Sequence, residues 1–417
     1  MNQNNVYPLG ELLKYEQPTA YIVSSTDYSD AYQIPVLTAG KSFILGYTNE
    51  SDGIFDKLPV IIFDDFTTAT QYVNFKFKVK SSAMKILHIN TELVNPKYIF
   101  YRMQTIQFDH STHKRYWIQQ YSKIKISIPS LPEQERIVAR IEELFSELDK
   151  AVETLKTTKQ QLAVYRQAVL KEAFTGTLTF SWRKNNCFPN SSIILQSIKN
   201  SGKTVGRFEL IEDILLPQLP STWSWISIGE ISTGAEYGTS NKSQKSGLVP
   251  VLRMGNIRNG IFDWNDLVYT NDKAEIEKYM LHNGDVLFNR TNSPELVGKT
   301  AVFKGEQQAI YAGYLIRINQ VPQINPDYLA YFLNSSIAKN YGNKVKTDGV
   351  NQSNINSKKL YSYPFPLCSR QEQDRVVLEL ESRLSCCDQI EKTIEQSLQQ
   401  AEAMRQSILK QAFEGRL

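Results

Sequence analysis

At 417 residues the chain is long enough for two or three domains with cores of their own. Its 41% hydrophobic and 22% charged residues are ordinary for a water-soluble protein. No apolar run approaches the roughly 20 residues of a membrane helix, and MNQNNVYPLGELLKYE lacks the basic start and apolar core of a signal peptide, so a cytoplasmic location and no membrane partner are expected.

Residues 1–131 carry 13 Lys and Arg against 11 Asp and Glu, net +2. The runs YIVSS, VIIFDDF, YVNFKFKV and MKILHI are short, β-branched and aromatic, and Gly, Asn and Asp separate them, which predicts strands. Asn95-Pro96 reads as the cap and first residue of a short helix. The segment Phe108–Trp117 mixes cations, amides and aromatics. His110, His113, Lys114, Arg115 and Tyr116 are its candidates for reading bases or gripping phosphates. No Cys or carboxylate set accompanies the two histidines, so a metal site is not expected.

Residues 132–178, with 7 cations and 8 anions, predict one helix of about 40 residues, or roughly 60 Å at 1.5 Å per residue. A 4-3 spacing puts Ile137, Ile141, Leu144, Leu148, Ala151, Leu155, Thr158, Leu162, Tyr165 and Val169 on one seam. Ser130 and Pro132 suit its start and Gly176 its stop. Residues 179–206 read as a polar connection with one short helix. Residues 179–368 together carry 20 cations and 15 anions, net +5, and within them residues 207–368 again predict strands, as in VYT, DVLFNR and YLIRI, plus a helix capped by Asn325-Pro326. Here Asn256, Arg258, Arg290, Asn292, Lys344, Lys346, Asn351, Gln352 and Asn354 are the candidates for DNA contact. Residues 369–417, with 7 cations and 9 anions, predict a second long helix with the seam Val376, Leu380, Arg383, Cys387, Ile390, Ile394, Ser397, Ala401, Met404 and Ile408, stopped by Gly415. The positive modules suit phosphate; the slightly negative helices do not.

The chain repeats itself. Residues 133–178 align without a gap on 372–417 at an offset of 239, with 18 of 46 positions identical. Upstream, Pro35–Gly40 matches Pro250–Gly255 at offset 215, Val60–Asp64 matches Asp285–Asn289 at 225, and Asn95-Pro96-Lys97-Tyr98 matches Asn325-Pro326-Asp327-Tyr328 at 230. A shared framework with growing loop insertions predicts two α+β modules joined by two long antiparallel helices in a coiled coil, with an internal pseudo-twofold. Such a chain suits a target that is itself roughly two-fold, duplex nucleic acid being the commonest.

No catalytic apparatus or cofactor motif appears. Ser201-Gly202-Lys203-Thr204 and Val297-Gly298-Lys299-Thr300 lack the first glycine of a phosphate loop, and Asp64-Asp65 lacks the acidic-x-Lys that follows in nuclease cores. Cys187, Cys368, Cys386 and Cys387 have no framework spacing and read as reduced thiols.

Leu131-Pro132-Glu133-Gln134-Glu135-Arg136-Ile137 opens the first long helix and Phe174-Thr175-Gly176-Thr177-Leu178 closes it. Ser181-Trp182-Arg183 follows, and Leu219-Pro220-Ser221-Thr222-Trp223 with Gly229-Glu230-Ile231 opens the second module. In these motifs, over essentially its whole length, the chain resembles the specificity subunits of type I restriction–modification systems. The resemblance implies two target-recognition domains, 1–131 and 207–368, held by spacer helices 132–178 and 369–417. Each domain would read half of a bipartite, asymmetric double-stranded DNA site, with two methyltransferase subunits docked and restriction subunits joining through the complex. No catalysis and no cofactor would belong to this chain. The first module lacks the Leu-Pro…Trp lead-in of the second. Glu133, Gln134 and Arg136, with Glu372, Gln373 and Arg375, are the candidate partner contacts, unless they cap the helices and tie them to their own modules. Service to a fused methylase–nuclease of a type II system, or a scaffold role without DNA, are the competing readings.

Overall fold

The computed structural model describes residues 5–38, 42–108, 116–211 and 214–417. The chain folds into two compact units. One holds residues 1–157 with 394–417, the other residues 158–393. Each long helix contributes to both.

In the first unit, strands β1 (Asn5–Pro8), β2 (Leu13–Glu16), β3 (Ile34–Leu37), β4 (Ile44–Thr48), β5 (Val60–Asp64), β6 (Thr70–Val73), β7 (Lys78–Val79), β8 (Met84–Ile89) and β9 (Lys125–Ile128) surround helices α1 (Leu9–Leu12), α2 (Pro96–Met103) and α3 (Tyr116–Gln119). They make a four-stranded sheet of order β2-β8-β5-β6, a three-stranded sheet β4-β3-β7 and the pair β1-β9. Strand β5 (VIIFD) is buried throughout, the mark of a central strand covered on both faces. Its alternate residues serve two cores: Ile61 and Phe63 pack with Trp117, Tyr121 and Val138, and Val60 and Ile62 with Phe55, Phe77 and Ile86.

The second unit repeats this plan. After α5 (Phe180–Lys184) and α6 (Ser191–Asn200) come β10 (Ser224–Ser227), β11 (Ser232–Tyr237), β12 (Val249–Leu252), β13 (Ile257–Arg258), β14 (Ile261–Phe262), β15 (Val268–Thr270), α7 (Lys273–Tyr279), β16 (Val286–Asn289), β17 (Thr291–Asn292), β18 (Thr300–Val302), β19 (Ile310–Tyr311) and β20 (Leu315–Gln320). Helices α8 (Pro326–Leu333), α9 (Ser336–Val345) and α10 (Ser357–Tyr361) and strands β21 (Thr347–Asp348), β22 (Ser353–Asn354) and β23 (Pro364–Leu367) follow. The sheet β11-β20-β16-β18 corresponds to β2-β8-β5-β6, β15-β12-β19 to β4-β3-β7, and β10-β23 to β1-β9. The parallel pairs β3-β7 and β12-β19 also correspond. The hairpin β13-β14 and the small sheet β17-β22-β21 belong to the second module, with no counterpart among the described residues of the first.

The spacer helices α4 (Leu131–Phe174) and α11 (Arg370–Phe413) are each 44 residues long. Both end by the same device. Gly176 and Gly415 adopt positive φ (75° and 71°), and the amides of Thr177 and Arg416 reach back to the carbonyls of Glu172 and Gln411. The helices run antiparallel in each unit. In the first, Ile141 and Phe145 pack with Leu409 and Ala412, and Arg405 pairs with Asp149 and lies 4.4 Å over the Phe145 ring. In the second, Arg166 pairs with Asp388 (2.7 Å) and Glu391 (3.1 Å). At offset 239, Arg405 corresponds to Arg166 and Asp388 to Asp149, so the same two positions pair, exchanged between helices. The fold class read from the sequence, two related α+β modules on two long antiparallel helices, is the one observed.

The seam differs from expectation in one column. Ile141, Leu148, Leu155, Leu162 and Val169 face inward as expected. Beyond Ile137, which packs on the helix pair as expected, the other column falls one residue later, at Phe145, Val152, Lys159 and Arg166, and in α11 at Leu384, Glu391, Leu398 and Arg405. Tyr165, Ile390 and Met404 are 46%, 41% and 54% exposed. Ile137/Val138, Leu144/Phe145 and Ala151/Val152 are adjacent apolar pairs, which support either column.

Candidate nucleic-acid interface

Each spacer helix begins against its own module through one glutamine. Gln134 is fully buried; its Oε1 accepts from the Asn95 amide (2.8 Å) and its Nε2 donates to the carbonyls of Pro129 (2.9 Å) and Leu93 (3.2 Å). Gln373 does the same with the Asn325 amide (2.8 Å) and the carbonyls of Cys368 (3.0 Å) and Gln323 (3.3 Å). Asn95 and Asn325 then cap α2 and α8 by accepting from two amides each. Gln134 and Gln373 are therefore framework ties, not exposed partner contacts: buried backbone groups need hydrogen-bond partners, and these amides supply them.

Glu372 is likewise internal. Its carboxylate accepts from Arg183 (2.6 Å), Thr179 (2.8 Å) and Trp223 Nε1 (2.8 Å), and its amide donates to Ser369 Oγ. Arg183 also donates to the Gly176 carbonyl (2.7 Å) and lies over the Trp223 ring. A Cβ on Gly176 would come within 2.5 Å of Pro220. Gly176, Arg183, Pro220, Trp223 and Glu372, scattered in sequence, thus close one junction. At the corresponding place Glu133 is partly exposed and pairs with Arg136 (2.8 Å) within its own helix. Arg375 pairs with Glu379. Of the six expected partner contacts, Glu133, Arg136 and Arg375 remain accessible.

The candidate DNA contacts separate in the same way. His110, His113, Lys114 and Arg115 lie outside the described residues. Tyr116 opens α3 but is buried, edge-on to Phe108, so its ring belongs to the core and not to a groove-facing surface. Asn256 is buried too. Its Oδ1 accepts from the Arg253 amide and its Nδ2 donates to the carbonyls of Asp263 and Asn265, which makes it a loop brace. Both were polar or amphipathic residues among loop signals, a pattern that a satisfied core group shares with a ligand contact.

In the second module, Asn351 and Gln352 are exposed at the turn of the β21–β22 hairpin, beside Val350, which is fully exposed. The turn is closed by Gly349 N–H to Gln352 O (2.8 Å), and Ser353 bonds Asp348 across its base. Lys344 is exposed in the last turn of α9. Lys346 leans back onto the Pro294 carbonyl (3.3 Å) with Asp348 3.6 Å away. Asn292 accepts from the Ser293 amide, and Asn354 donates to Thr291 Oγ1 (2.7 Å). Arg290 is half-buried, over the Tyr237 ring at 4.8 Å. Arg258 is exposed beside Asp263 (3.0 Å).

Sequence reasoning missed Lys299 and Lys339. Burial, and then the neighbouring charges of Arg258 and Lys339, hold Lys299 below the ordinary lysine range. Cations that crowd one another favour an anion between them, and DNA phosphate is such an anion. The signal was present as Gly298-Lys299, set aside because it lacked the glycine of a nucleotide loop. Among the described residues no group of three His, Cys, Asp or Glu could hold a metal, and no helix is long and apolar enough to cross a membrane.

The family model described as the type I restriction modification DNA specificity domain matches residues 1–163 and 220–400, once per module. The specificity subunit of the type I restriction enzyme EcoR124I/EcoR124II of Escherichia coli is 32% identical over 395 residues, covering 89% of this chain and 84% of that one. The EcoKI specificity subunit of Escherichia coli strain K12 is 30% identical over 303 residues, 71% of this chain and 58% of its own. A structure described under complex assembly and conformational transition of the type I R-M system superposes with a TM-score of 0.63 at 16% identity, over 99% of this chain and 98% of the other. The HsdS subunit of Thermoanaerobacter tengcongensis does so at 0.50 and 17%, over 99% and 97%. These two likenesses speak to the fold. The chain belongs to the family of type I restriction–modification specificity subunits. Its function is that of a DNA-specificity subunit.

Proposed function

We propose that the chain reads a bipartite, asymmetric double-stranded DNA target, one short sequence per module, and carries two methyltransferase subunits, with restriction subunits joining through the complex in the cytoplasm. The observation that supports this reading best is the pair of modules itself. Their sheets correspond strand for strand, while the second adds a β17-β22-β21 surface ending in Asn351 and Gln352. Common scaffolds with different loops are how related modules come to bind different ligands. Asn and Gln amides suit adenine edges, and Lys299, Lys339, Lys344 and Arg258 suit phosphates. In the first module, His110, His113, Lys114 and Arg115 are assigned the base-reading role. Methyl transfer and cleavage belong to the partners, with no cofactor held by this chain. Exposed Arg136 and the partly exposed Glu133 and Arg375 at the helix starts are assigned to methyltransferase docking.

The test uses the chain assembled with its methyltransferase subunits and binding competition between cognate and altered DNA. Asn351→Ala and Gln352→Ala should each cost about 1–3 kcal/mol of discrimination in one half-site, and Arg115→Ala the same in the other. Lys299→Ala should weaken cognate and random DNA alike and flatten the salt dependence by about one charge. Equal loss on all sequences from the Asn351 and Gln352 variants would contradict their base-reading role.

A further inference from the structure

We infer that one framework position, Asp65 in the first module and Arg290 in the second, positions the base-reading segment of each. The inference rests on the bipartite reading above and names residues that hold the readers without touching DNA.

Asp65 follows β5 and Arg290 follows β16, at the offset of 225 that relates those strands. Each accepts the same hydrogen bond. Tyr116 N–H donates to the Asp65 carbonyl (3.1 Å), and Ile355 N–H donates to the Arg290 carbonyl (2.8 Å). Tyr116 and Ile355 correspond at offset 239, and each directly follows its module's candidate reading segment. The end of the central strand thus pins the residue that follows that segment in each module.

The two side chains then do one job with opposite chemistry. Asp65 Oδ1 accepts from the Trp117 amide (2.8 Å), and its second oxygen lies 3.6 Å from Lys85 Nζ with both side chains almost wholly buried. Lys85 stands opposite Phe63 in the sheet. The equivalent rung of the second module holds Ile316 opposite Phe288, so the acid comes with its own cation and the arginine without one. Arg290 donates to Asn354 Oδ1 (3.4 Å) and the Gly313 carbonyl (3.3 Å) and stacks on Tyr237. Tyr237 in turn bonds Ser357 through its hydroxyl. Asn354 lies on β22, the returning strand of the hairpin that carries Asn351 and Gln352. Both terminal nitrogens of Arg290 are committed inside the module. A position that carries an anion in one copy and a cation in the other is no common phosphate grip, because phosphate selects one sign. What the copies share is the anchored amide. Rigid support behind a reading loop is what base discrimination needs, since hydrogen-bond recognition fails with small displacements.

The test compares variants of the chain assembled with its methyltransferase subunits. Discrimination between cognate and singly mismatched DNA is measured for each half-site, with the salt slope on random DNA. Arg290→Lys keeps the charge and loses the fork, so it should behave like Arg290→Ala. Both should lose roughly tenfold or more of discrimination in one half-site only, with the salt slope unchanged. Asp65→Ala with Lys85→Met removes the Trp117 acceptor without leaving a buried cation alone, and should do the same in the other half-site. Asp65→Asn with Lys85→Met keeps an acceptor oxygen and should restore it. Full retention of discrimination by Arg290→Lys, a reduced salt slope, or loss in both half-sites at once would overturn the assignment. A wild-type complex that reads no pair of half-sites would instead refute the bipartite reading.

Discussion

Glu133 and Glu372 stand at the same position in two copies of one helix, yet only Glu372 is enclosed. It holds Arg183, Thr179 and Trp223, whereas Glu133 reaches no further than Arg136. One residue on, Gln134 and Gln373 are indistinguishable in burial and partners. The contrast separates two kinds of repeat position. Where a residue ties a helix to its own module, both copies keep the tie. Where it meets other segments, the copies part company: the partners of Glu372, which are Thr179, Arg183 and Trp223, lie in the stretch between the first spacer helix and strand β10.

The largest effect should come from breaking that contrast. Glu372→Ala strands Arg183 in a poorly hydrated junction and should lower stability by about 3–5 kcal/mol, read by denaturant unfolding of the intact chain. Glu133→Ala should leave the unfolding curve where it was. Next, Gln134→Ala and Gln373→Ala each orphan a buried amide and two carbonyls, and should cost about 1–3 kcal/mol, matched between the copies. A clear mismatch would mean that the two ties are not equivalent. The smallest effect belongs to the exchanged ion pairs across the helices. Arg166→Ala and Arg405→Ala should cost about 0.2–1 kcal/mol and less in 1 M salt. Arg405→Ala should be the larger and keep a residue in high salt, because Arg405 also covers the Phe145 ring.

The repeat carried most of the fold in plain sight. The gapless helix match, the Asn-Pro caps and the terminal glycines marked the helices to within a few residues, since caps and stops depend on local chemistry. The seam slipped by one residue because neighbouring apolar pairs such as Leu144 and Phe145 leave its second column undetermined until a partner helix is present. The site was less legible. Tyr116, Asn256, Gln134 and Glu372 looked like surface chemistry and are internal, because a polar residue in a loop bears no mark of whether its partner is backbone or ligand. Asp65 was visible only as half of an acidic pair. Its role appears once its carbonyl and that of Arg290 are seen to accept from corresponding amides.

The central claim is that two copies of one framework each read their own short sequence. Mapping methylated bases in DNA exposed to the assembled methyltransferase tests it most directly, with the natural chain and with a chain carrying seven extra residues in each spacer helix, after Leu155 and after Ile394. Seven residues keep the seam in phase and add about 10 Å, or roughly three base pairs. The expected result is two different half-sites separated by a fixed gap, with the same half-sites and a wider gap in the lengthened chain. One continuous or palindromic target, or new half-site sequences at the old gap, would contradict it.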